Sequence, residues 1–504
     1  MFPLRFGTAE QFTLLRDYLQ AAGYTEKQVI LRAGVRGMHE LVGAACDPGK
    51  AGDDPLGLLM RLFISSEPLE SRALDAAFPA GALGVMKSLG LLRDAPEKPG
   101  FASSPMALYP AHGLWFVSDR WVYQDRAAIE RFDDIVFPAI SQHTYHFMKA
   151  LPEEPCETFL DLCAGTGVAA LVAASRYARR AWSVDITERA TSCAEFSRQL
   201  NGLENVVVVQ GDLYEPLGDL TFDRIVAHPP YVPVLAPGKV YYDGGEDGER
   251  VTRKIVEGLA RHLAPNGRFI CLSMGIERED EPFERRARAW LGEGGANFDL
   301  LYVLHRVEDL VDFAYQSTVH IRGDISHIGE WKNHFRKLKV KDLVQGALTI
   351  ERHDGRRPPF TIRRQKAKRS GPAEADWLMR VETDYANSEG RERWLGFKPV
   401  ISAAVELHTL HRVQQGELAP VSHKFQIEYP FSMECKVQMW MAMMLVRCDG
   451  KSTVSQIFES CKRDRLIHAS APSGEFLGLM HTFIAGGFAE VEEFPLPQKA
   501  VNMP

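Results

Sequence analysis

The chain of 504 residues lacks the features that mark exported or membrane proteins. Its eight cysteines include no C-x-x-C pair and lie too far apart for a disulfide framework. Its first residues lack the basic-then-apolar pattern of a secretory signal. No run reaches the ~18 uncharged apolar residues that a membrane helix requires. We therefore predict a cytoplasmic protein without membrane contact.

A general excess of positive charge is also missing. The chain has 59 Lys and Arg residues against 66 Asp and Glu residues, and its net charge of -7 excludes an overall cationic coat for nucleic acid. The segment 322–370 departs from this balance, with fourteen basic and five acidic residues. It is either a solvated face or a surface for an anionic partner such as RNA. The candidate RNA contacts are Arg363, Arg364, Lys366, Lys368 and Arg369.

Length and patterning divide the chain into four predicted parts. Residues 1–125 combine short helices with strands in a winged-helix-like pattern, and residues 126–325 alternate strands and helices. The alternation predicts an α/β domain with a doubly wound, mostly parallel sheet. Residues 326–425 form a basic and mixed connecting region, and residues 426–504 form a second winged-helix-like module. Both modules lack a basic third helix, so for the first we predict packing or protein contact rather than DNA binding, and for the C-terminal module an interaction or dimerisation role that would form a homo-oligomer.

A glycine loop follows the first strand of the α/β region. The run TFLDLCAGTGVAALVAAS places Asp161 in an apolar strand, Gly165, Thr166 and Gly167 in a loop, and an Ala-rich helix behind it. Glycines let the backbone approach a ligand, and the helix N-terminus supplies free N–H groups. Asp185 ends the next apolar run, twenty residues after Gly165, where a carboxylate can accept hydrogen bonds from a ribose. This spacing serves NAD and S-adenosylmethionine equally.

The third and fourth strands separate these two cofactors. The third is followed by Gly211, Asp212 and Leu213, and the fourth by the tetrapeptide His-Pro-Pro-Tyr at 228–231. Two prolines fix the backbone and leave its carbonyl oxygens free to accept from an NH2 group, while the tyrosine offers a face for a planar amide or base. The tetrapeptide therefore favours methylation of an amino group over hydride transfer.

With these motifs in this order, residues 155–275 resemble the class I S-adenosylmethionine-dependent methyltransferases, in the branch with Asn-Pro-Pro-Tyr that methylates planar nitrogen. The segment VYYDGGEDGERVTRKIVEGLARHLAPNGRF is similar to that of release-factor glutamine methyltransferases. The resemblance implies S-adenosylmethionine as the cofactor. It implies cofactor-binding roles for Asp161, Gly165, Thr166, Gly167, Asp185, Asp212 and Leu213. It implies that the acceptor is held by His228, Pro229 and Tyr231.

The chain departs from the family pattern at His228, where the family has Asn. A neutral imidazole offers one acceptor and one donor on different ring positions. We predict N-methylation of a planar amide or amino group on a macromolecule, either glutamine-like in a protein or on RNA. The alternatives are a nucleic-acid base or specialised small-molecule methyltransferase, and a cofactor-binding protein without catalysis. An acceptor role requires an uncharged ring, which predicts loss of activity as pH falls through ~6.5.

The sequence gives no indication of a metal site. His143 and His146 are three residues apart on a predicted helix, but no Cys or acidic residue lies near them at ligand spacing. We interpret them as ordinary histidines.

Overall fold

The computed structural model describes residues 2–42, 47–96, 98–121, 133–320 and 326–497. They form two compact units, the first of residues 1–276 and 310–341 and the second of residues 277–309 and 342–504. The sequence predicted four parts, whereas the contacts divide the chain into two units. The boundaries of the four parts therefore stay predictions. The predicted boundary at 125/126, residues 322–325 of the basic segment and Cys46 lie outside the described residues.

The first unit contains the glycine loop and the His-Pro-Pro-Tyr motif. Its α-helices are α1 Ala9–Ala21, α2 Glu26–Ala33, α3 Pro48–Ala51, α4 Pro55–Leu59, α5 Ser71–Ala77, α6 Ala80–Ser88, α7 Gln142–Ala150, α8 Val168–Arg176, α9 Glu188–Asn201, α10 Arg250–His262, α12 Leu310–His320 and α13 Ser326–Lys337. A π-helical turn at Met60–Ile64 and 3-10 turns at Met38–Leu41 and Glu215–Leu217 join them. Its strands are β1 Leu69–Glu70, β2 Arg93–Asp94, β3 Phe101–Ser103, β4 Ala107–Ala111, β5 Leu114–Ser118, β6 Cys156–Leu162, β7 Ala178–Asp185, β8 Val206–Gln210, β9 Phe222–Ala227 and β10 Leu263–Glu277.

Five parallel strands form the centre of this unit, in the order β10-β9-β6-β7-β8. Their apolar, β-branched sequences, such as the four valines of β8, suit strands that are covered on both faces. The chain passes from β6 to β7 and β8 on one side and then returns to place β9 and β10 on the other. This reversal between β6 and β9 is a topological switch point, and it confirms the predicted Rossmann-like α/β fold.

Helix α9 shows how local sequence sets the ends of these elements. The Thr187 hydroxyl accepts a hydrogen bond from the Ala190 amide at 3.1 Å, which begins the helix. Gly202 adopts φ +66° and ends it, in the left-handed conformation that glycine reaches without strain. The helix therefore returns the chain to the sheet at a defined point, where β8 begins.

The N-terminal helices and strands share one hydrophobic core with the central sheet. The Phe12 ring of α1 packs edge-on against the Phe196 ring of α9, with 5.0 Å between centroids. Arg189 of α9 donates two hydrogen bonds to the carboxylate of Asp119, at 2.6 and 2.7 Å. Both partners of this pair are largely buried, so its geometry is tightly held. The N-terminal segment thus packs as part of the first unit.

The second unit contains α11 Phe283–Trp290, α14 Pro372–Ala386, α15 Ser388–Arg393, α16 Met439–Leu445, α17 Val454–Arg463 and α18 Ser473–Ala485, with 3-10 turns at Gly292–Asn297 and Trp394–Gly396. Its strands are β11 Phe298–Glu308, β12 Asp342–Arg352, β13 Thr361–Gln365, β14 Val400–Ile401, β15 Glu406–Gln414, β16 Glu417–Ile427, β17 Met433–Val437 and β18 Ala489–Glu490. Strand β11 pairs antiparallel with β12 and parallel with β13. A separate antiparallel sheet has the order β15-β16-β17. A second hydrophobic core lies in this unit, around Trp377 and Trp394.

Every helix in the described part of the chain is too short or too polar to cross a bilayer. The described cysteines are free thiols.

The shared core of the first unit predicts that a single side chain of α1 contributes strongly to stability. Phe12 is 1% exposed, whereas Leu14 on the same helix is 44% exposed. We expect Phe12→Ala to lower the free energy of unfolding by about 3–5 kcal/mol, because it leaves a cavity, and Leu14→Ala to change it by less than ~0.5 kcal/mol. Urea unfolding followed by tryptophan fluorescence measures both. Equal effects of the two substitutions would contradict a core shared with α1.

Candidate active site

Four loops meet at the carboxyl ends of β6, β7, β8 and β9. The register places Leu162 beside Val184 and Ala227, and Asp185 beside Gln210, so these strands end at one edge of the sheet. Ligands of open α/β sheets bind at this edge, next to the switch point. Each predicted site residue lies in or next to these four loops, with Asp161 in β6 itself.

The two glycines of the first loop have different surroundings. Gly165 has φ +54°, and a Cβ atom built on it would meet nothing within 4 Å. Gly167 has φ +72°, and a Cβ atom built on it would lie 2.9 Å from both Ala194 Cβ and Leu171 Cδ1. Gly167 therefore lets α8 pack tightly, whereas Gly165 leaves open space above the loop. The Thr166 side chain between them is buried.

Asp185 joins the first loop to the second. Its Oδ2 accepts a hydrogen bond from the Gly165 amide at 2.9 Å, and its Oδ1 accepts from the Thr187 amide at 3.0 Å and the Thr187 hydroxyl at 3.2 Å. Burial raises the pKa of Asp185, and these hydrogen bonds oppose the rise. A carboxylate has about four lone-pair positions, so acceptor capacity remains for a ligand hydroxyl.

Asp161 lies beneath the loop. Its side chain is 2% exposed, and its Oδ2 accepts a hydrogen bond from the Ala170 amide in the first turn of α8 at 3.2 Å. Burial raises the pKa of Asp161 to about 8, with a smaller contribution from the charge of Asp185. Asp161 thus fixes the start of α8, and its predicted contact with a cofactor stays a prediction.

The third loop contains Asp212 and Leu213. Leu213 adopts φ +53°, a left-handed conformation that costs a branched side chain free energy. Cys163 in the first loop has φ +56° and is strained in the same way. Nothing in the sequence around Cys163 indicated this conformation. Lys254 of α10 places Nζ 3.4 Å from Asp212 Oδ2. Strained backbone therefore occurs in two of the four loops, as is common at functional sites.

The fourth loop places His228 and Tyr231 against helix α7. The His228 ring stacks on Phe147 at 5.1 Å between centroids and lies 5.7 Å from the Tyr231 ring. The Tyr231 hydroxyl is 3.5 Å from Nδ1 of His143. Pro229 and Tyr231 are buried. The predicted acceptor residues thus lie together, and a helix that precedes β6 covers them.

Burial, with a smaller contribution from the neighbouring His143, lowers the pKa of His228 to about 3. The ring is therefore neutral throughout the physiological range. The sequence-based prediction of a transition near pH 6.5 is wrong for this reason, since it used the pKa of a solvated histidine.

A glycine-rich acidic segment supports the fourth loop. The Val232 amide donates to the Tyr242 carbonyl, and the Gly244 amide donates to the Val232 carbonyl, both at 2.9 Å. The buried carboxylate of Asp243 accepts from the amides of Gly238 and Gly245 at 2.8 and 2.9 Å. The segment that resembles release-factor glutamine methyltransferases is therefore hydrogen-bonded to Val232, the residue that follows the His-Pro-Pro-Tyr motif.

The sequence analysis did not name Phe147 and interpreted His143 as an ordinary histidine, and both residues lie against the fourth loop. The two residues are four apart on α7, so they share one helix face. That spacing was visible, but nothing local showed that this face would meet the fourth loop. Within the described residues, no group of three or more His, Cys, Asp or Glu side chains is arranged to hold a metal ion.

The parallel sheet, its switch point and these loops form an α/β domain of the kind that binds a nucleoside cofactor. Residues 139–276 match the Methyltransferase small domain family. This match confirms the predicted resemblance to class I S-adenosylmethionine-dependent methyltransferases. It covers the helix α7, the central strands and all four loops.

Curated relatives are similar over the same region. The ribosomal protein uL3 glutamine methyltransferase of Bradyrhizobium diazoefficiens is 34% identical over 160 residues, which are 29% of this chain and 50% of that protein. The release factor glutamine methyltransferase of Thermodesulfovibrio yellowstonii is 34% identical over 128 residues, or 23% and 46% of the two chains. The chain thus spans about half the length of these relatives. A solved structure of ribosomal protein L11 methylase from Lactobacillus delbrueckii subsp. bulgaricus aligns with 42% of this chain and 77% of that one, at 18% identity and a TM-score of 0.25.

The surroundings of the two loop glycines predict different costs of substitution. Gly167→Ala combines left-handed backbone with overlap against Ala194 and Leu171, so we expect it to lower the free energy of unfolding by about 3 kcal/mol. Gly165→Ala adds only backbone strain, about 1 kcal/mol. Denaturant unfolding of both variants measures the difference. A Gly165→Ala variant less stable than Gly167→Ala would show that the space above Gly165 is not open.

Proposed function

We propose that this chain transfers a methyl group from S-adenosylmethionine to the side-chain amide nitrogen of a glutamine in a protein. The observation that supports this most directly is the position of the His-Pro-Pro-Tyr motif. It lies at the end of β9, across the switch point from the glycine loop of β6. A cofactor on one side and an amide on the other would then meet at the same edge of the sheet.

The residues of the first three loops fit the cofactor. Gly165 leaves room for close approach of a ligand, Gly167 and Thr166 begin α8 with its N–H groups directed at the loop, and Asp185 retains acceptor capacity for ribose hydroxyls. Asp212 and Leu213 would border the adenine. When bound, S-adenosylmethionine supplies an activated methyl group on its sulfonium sulfur.

The fourth loop would hold and activate the acceptor. An amide nitrogen is a poor nucleophile because its lone pair is delocalised into the carbonyl. The His228 ring and the Pro229 carbonyl would each accept a hydrogen bond from one N–H of the amide NH2 group. These hydrogen bonds return electron density to the nitrogen and stabilise the positive charge that develops there. Tyr231 would offer its ring face to the planar amide.

The lowered pKa of His228 suits this role. A neutral imidazole has one ring nitrogen that accepts a hydrogen bond, and a protonated ring has none. Burial keeps the ring neutral, and stacking on Phe147 fixes the ring plane. The structure of this site thus supports histidine as a functional replacement for the asparagine of the family pattern.

Protein substrates are the best supported class. The relatives are named as glutamine methyltransferases of ribosomal protein uL3 and of release factors. A putative protein N5-glutamine methyltransferase of Methanocaldococcus jannaschii is 26% identical over 144 residues, which are 27% of this chain and 72% of that protein. These relatives, together with the His-Pro-Pro-Tyr geometry, favour a protein glutamine over a nucleic-acid base or a small molecule. Homo-oligomerisation through the C-terminal module and a cytoplasmic location stay predictions.

Asp185→Ala is expected to weaken binding of S-adenosylmethionine by at least about 10-fold, because it removes charge-assisted hydrogen bonds and frees the Gly165 amide. Isothermal titration calorimetry with the full chain measures the dissociation constant. Asp280→Ala, at an exposed carboxylate, is the matched control and should bind as the parent does. A folded Asp185→Ala variant with unchanged affinity would remove Asp185 from the cofactor site.

His228→Ala is expected to lower methyl transfer by about 10- to 1000-fold, because one of the two acceptors is lost, while cofactor affinity is retained. His228→Asn restores an amide oxygen acceptor and should keep more activity than His228→Ala. The rate of the parent should show no His228-dependent decline between pH 8 and pH 5, since a pKa of about 3 leaves this ring almost entirely neutral over that range. His411→Ala, at an exposed histidine of β15, is the matched control.

The measurement uses S-adenosylmethionine with a labelled methyl group, the full chain, and an extract of cells that lack this protein, so that its acceptor is unmethylated. We expect label that is removed by protease, resists RNase and is recovered as N5-methylglutamine by mass spectrometry. Label in RNA, or in molecules that pass a small-pore filter, would contradict the protein substrate. Full turnover by His228→Ala on a glutamine acceptor would contradict the proposed role of the ring and leave the substrate class intact.

A further inference from the structure

The basic segment of the sequence separates into two portions with different surroundings. In the later portion, several arginines pair with acidic side chains of the second unit, while Lys368 and Arg369 are exposed. Arg363 lies 2.5 Å from Glu277 and 3.2 Å from Glu284, and Arg364 lies 3.7 Å from Glu382. These arginines, which the sequence analysis counted among the candidate RNA contacts, are therefore already engaged in ion pairs within the protein.

The earlier portion lies on α13 and the turn after it. It contains five exposed cationic side chains, which we call the basic strip: Lys332, Arg336, Lys337, Lys339 and Lys341. Within the described part of the chain, none of the five lies within 4 Å of a carboxylate, and Arg336 donates instead to the neutral Asn333 at 2.9 Å. Over residues 330–342, only Glu330 and Asp342 oppose them.

The helical part of the basic strip is exposed beside a buried aromatic face. Trp331 and Phe335 are buried and anchor one face of α13. Lys332 and Arg336 are one turn apart on one exposed side of the helix, with their Cα atoms ~6 Å apart along the axis, and Lys337 is exposed further round the helix. Buried aromatic residues thus hold one face of α13, and the cations point to solvent.

The same helix touches the segment that supports the acceptor loop. Nε2 of His334 lies 2.7 Å from the carbonyl oxygen of Glu246, to which it donates a hydrogen bond. Glu246 belongs to the glycine-rich acidic segment, which is hydrogen-bonded to Val232 next to Tyr231. The basic strip therefore begins on a helix in direct contact with the support of the His-Pro-Pro-Tyr motif.

We propose that the basic strip is a docking surface for RNA, positioned so that RNA bound there lies beside the acceptor loop. The net charge of the whole protein is -7, so a local group of unpaired cations opposes the general charge and attracts a polyanion to this one place. Four of the five residues are lysines. Lysine binds phosphate as a point charge, which suits contacts to a phosphodiester backbone that do not depend on base sequence.

This proposal goes beyond the proposed methyl transfer, and binding alone tests it. The probe is a fluorescein-labelled poly(uridylate) of about 20 nucleotides, long enough to cover the strip, and the readout is fluorescence anisotropy with the full chain at several salt concentrations. The triple variant Lys332→Gln, Arg336→Gln, Lys337→Gln should bind at least about 10-fold more weakly. The slope of log affinity against log salt should fall by about 2, as expected when three phosphate contacts to a single strand are lost.

The matched control removes the same charge from the second unit. Lys398→Gln, Arg412→Gln, Lys451→Gln changes two exposed lysines and one exposed arginine outside the basic segment and should leave RNA affinity within about 2-fold of the parent. Circular dichroism and thermal unfolding confirm that both triple variants fold. Equal losses in the two variants would show a net-charge effect and overturn the proposal, as would unchanged binding by the α13 variant. Polyglutamate is added as a competitor at the same concentration of charge as unlabelled RNA. If it competes as effectively as the RNA does, the strip would bind an acidic protein instead.

Discussion

The carboxylate of Asp185 is the interaction on which the site is built. It accepts hydrogen bonds from Gly165 in the first loop and from Thr187 at the start of α9, so it connects the ends of β6 and β7 across the sheet. This connection fixes the Gly165 amide within the left-handed turn of the loop. Asp161 supports the same loop from below through the Ala170 amide. Two carboxyl groups with raised pKa values therefore hold the glycine loop in shape.

The sequence predicted the loop residues because their chemistry is local. A left-handed turn before a helix requires glycine, and a parallel strand places its last polar residue at the carboxyl edge, so Gly165, Gly167 and Asp185 follow from spacing alone. The strand order and the family match confirm the fold and the class of domain. The roles of the individual residues stay proposals, since they depend on ligands.

Other features depend on packing between distant segments, which no local pattern reports. Phe147 and His143 meet the fourth loop only because α7 packs over the end of β9. The pKa of His228 follows from that enclosure, and a solvated reference value therefore misplaced it. In the same way, counting charges along 322–370 could not show that Arg363 and Arg364 have acidic partners whereas the cations of α13 have none among the described residues.

The position of α7 in the chain has a consequence for how such a protein changes over evolution. The residues proposed to hold the cofactor lie in loops that follow β6, β7 and β8, whereas His143 and Phe147 precede β6. Substitutions in α7 can therefore reshape the acceptor side while the loops around the nucleoside keep their sequence. Substitutions in α7 would then change the proposed acceptor specificity, whereas substitutions in the first three loops would change the affinity for the methyl donor.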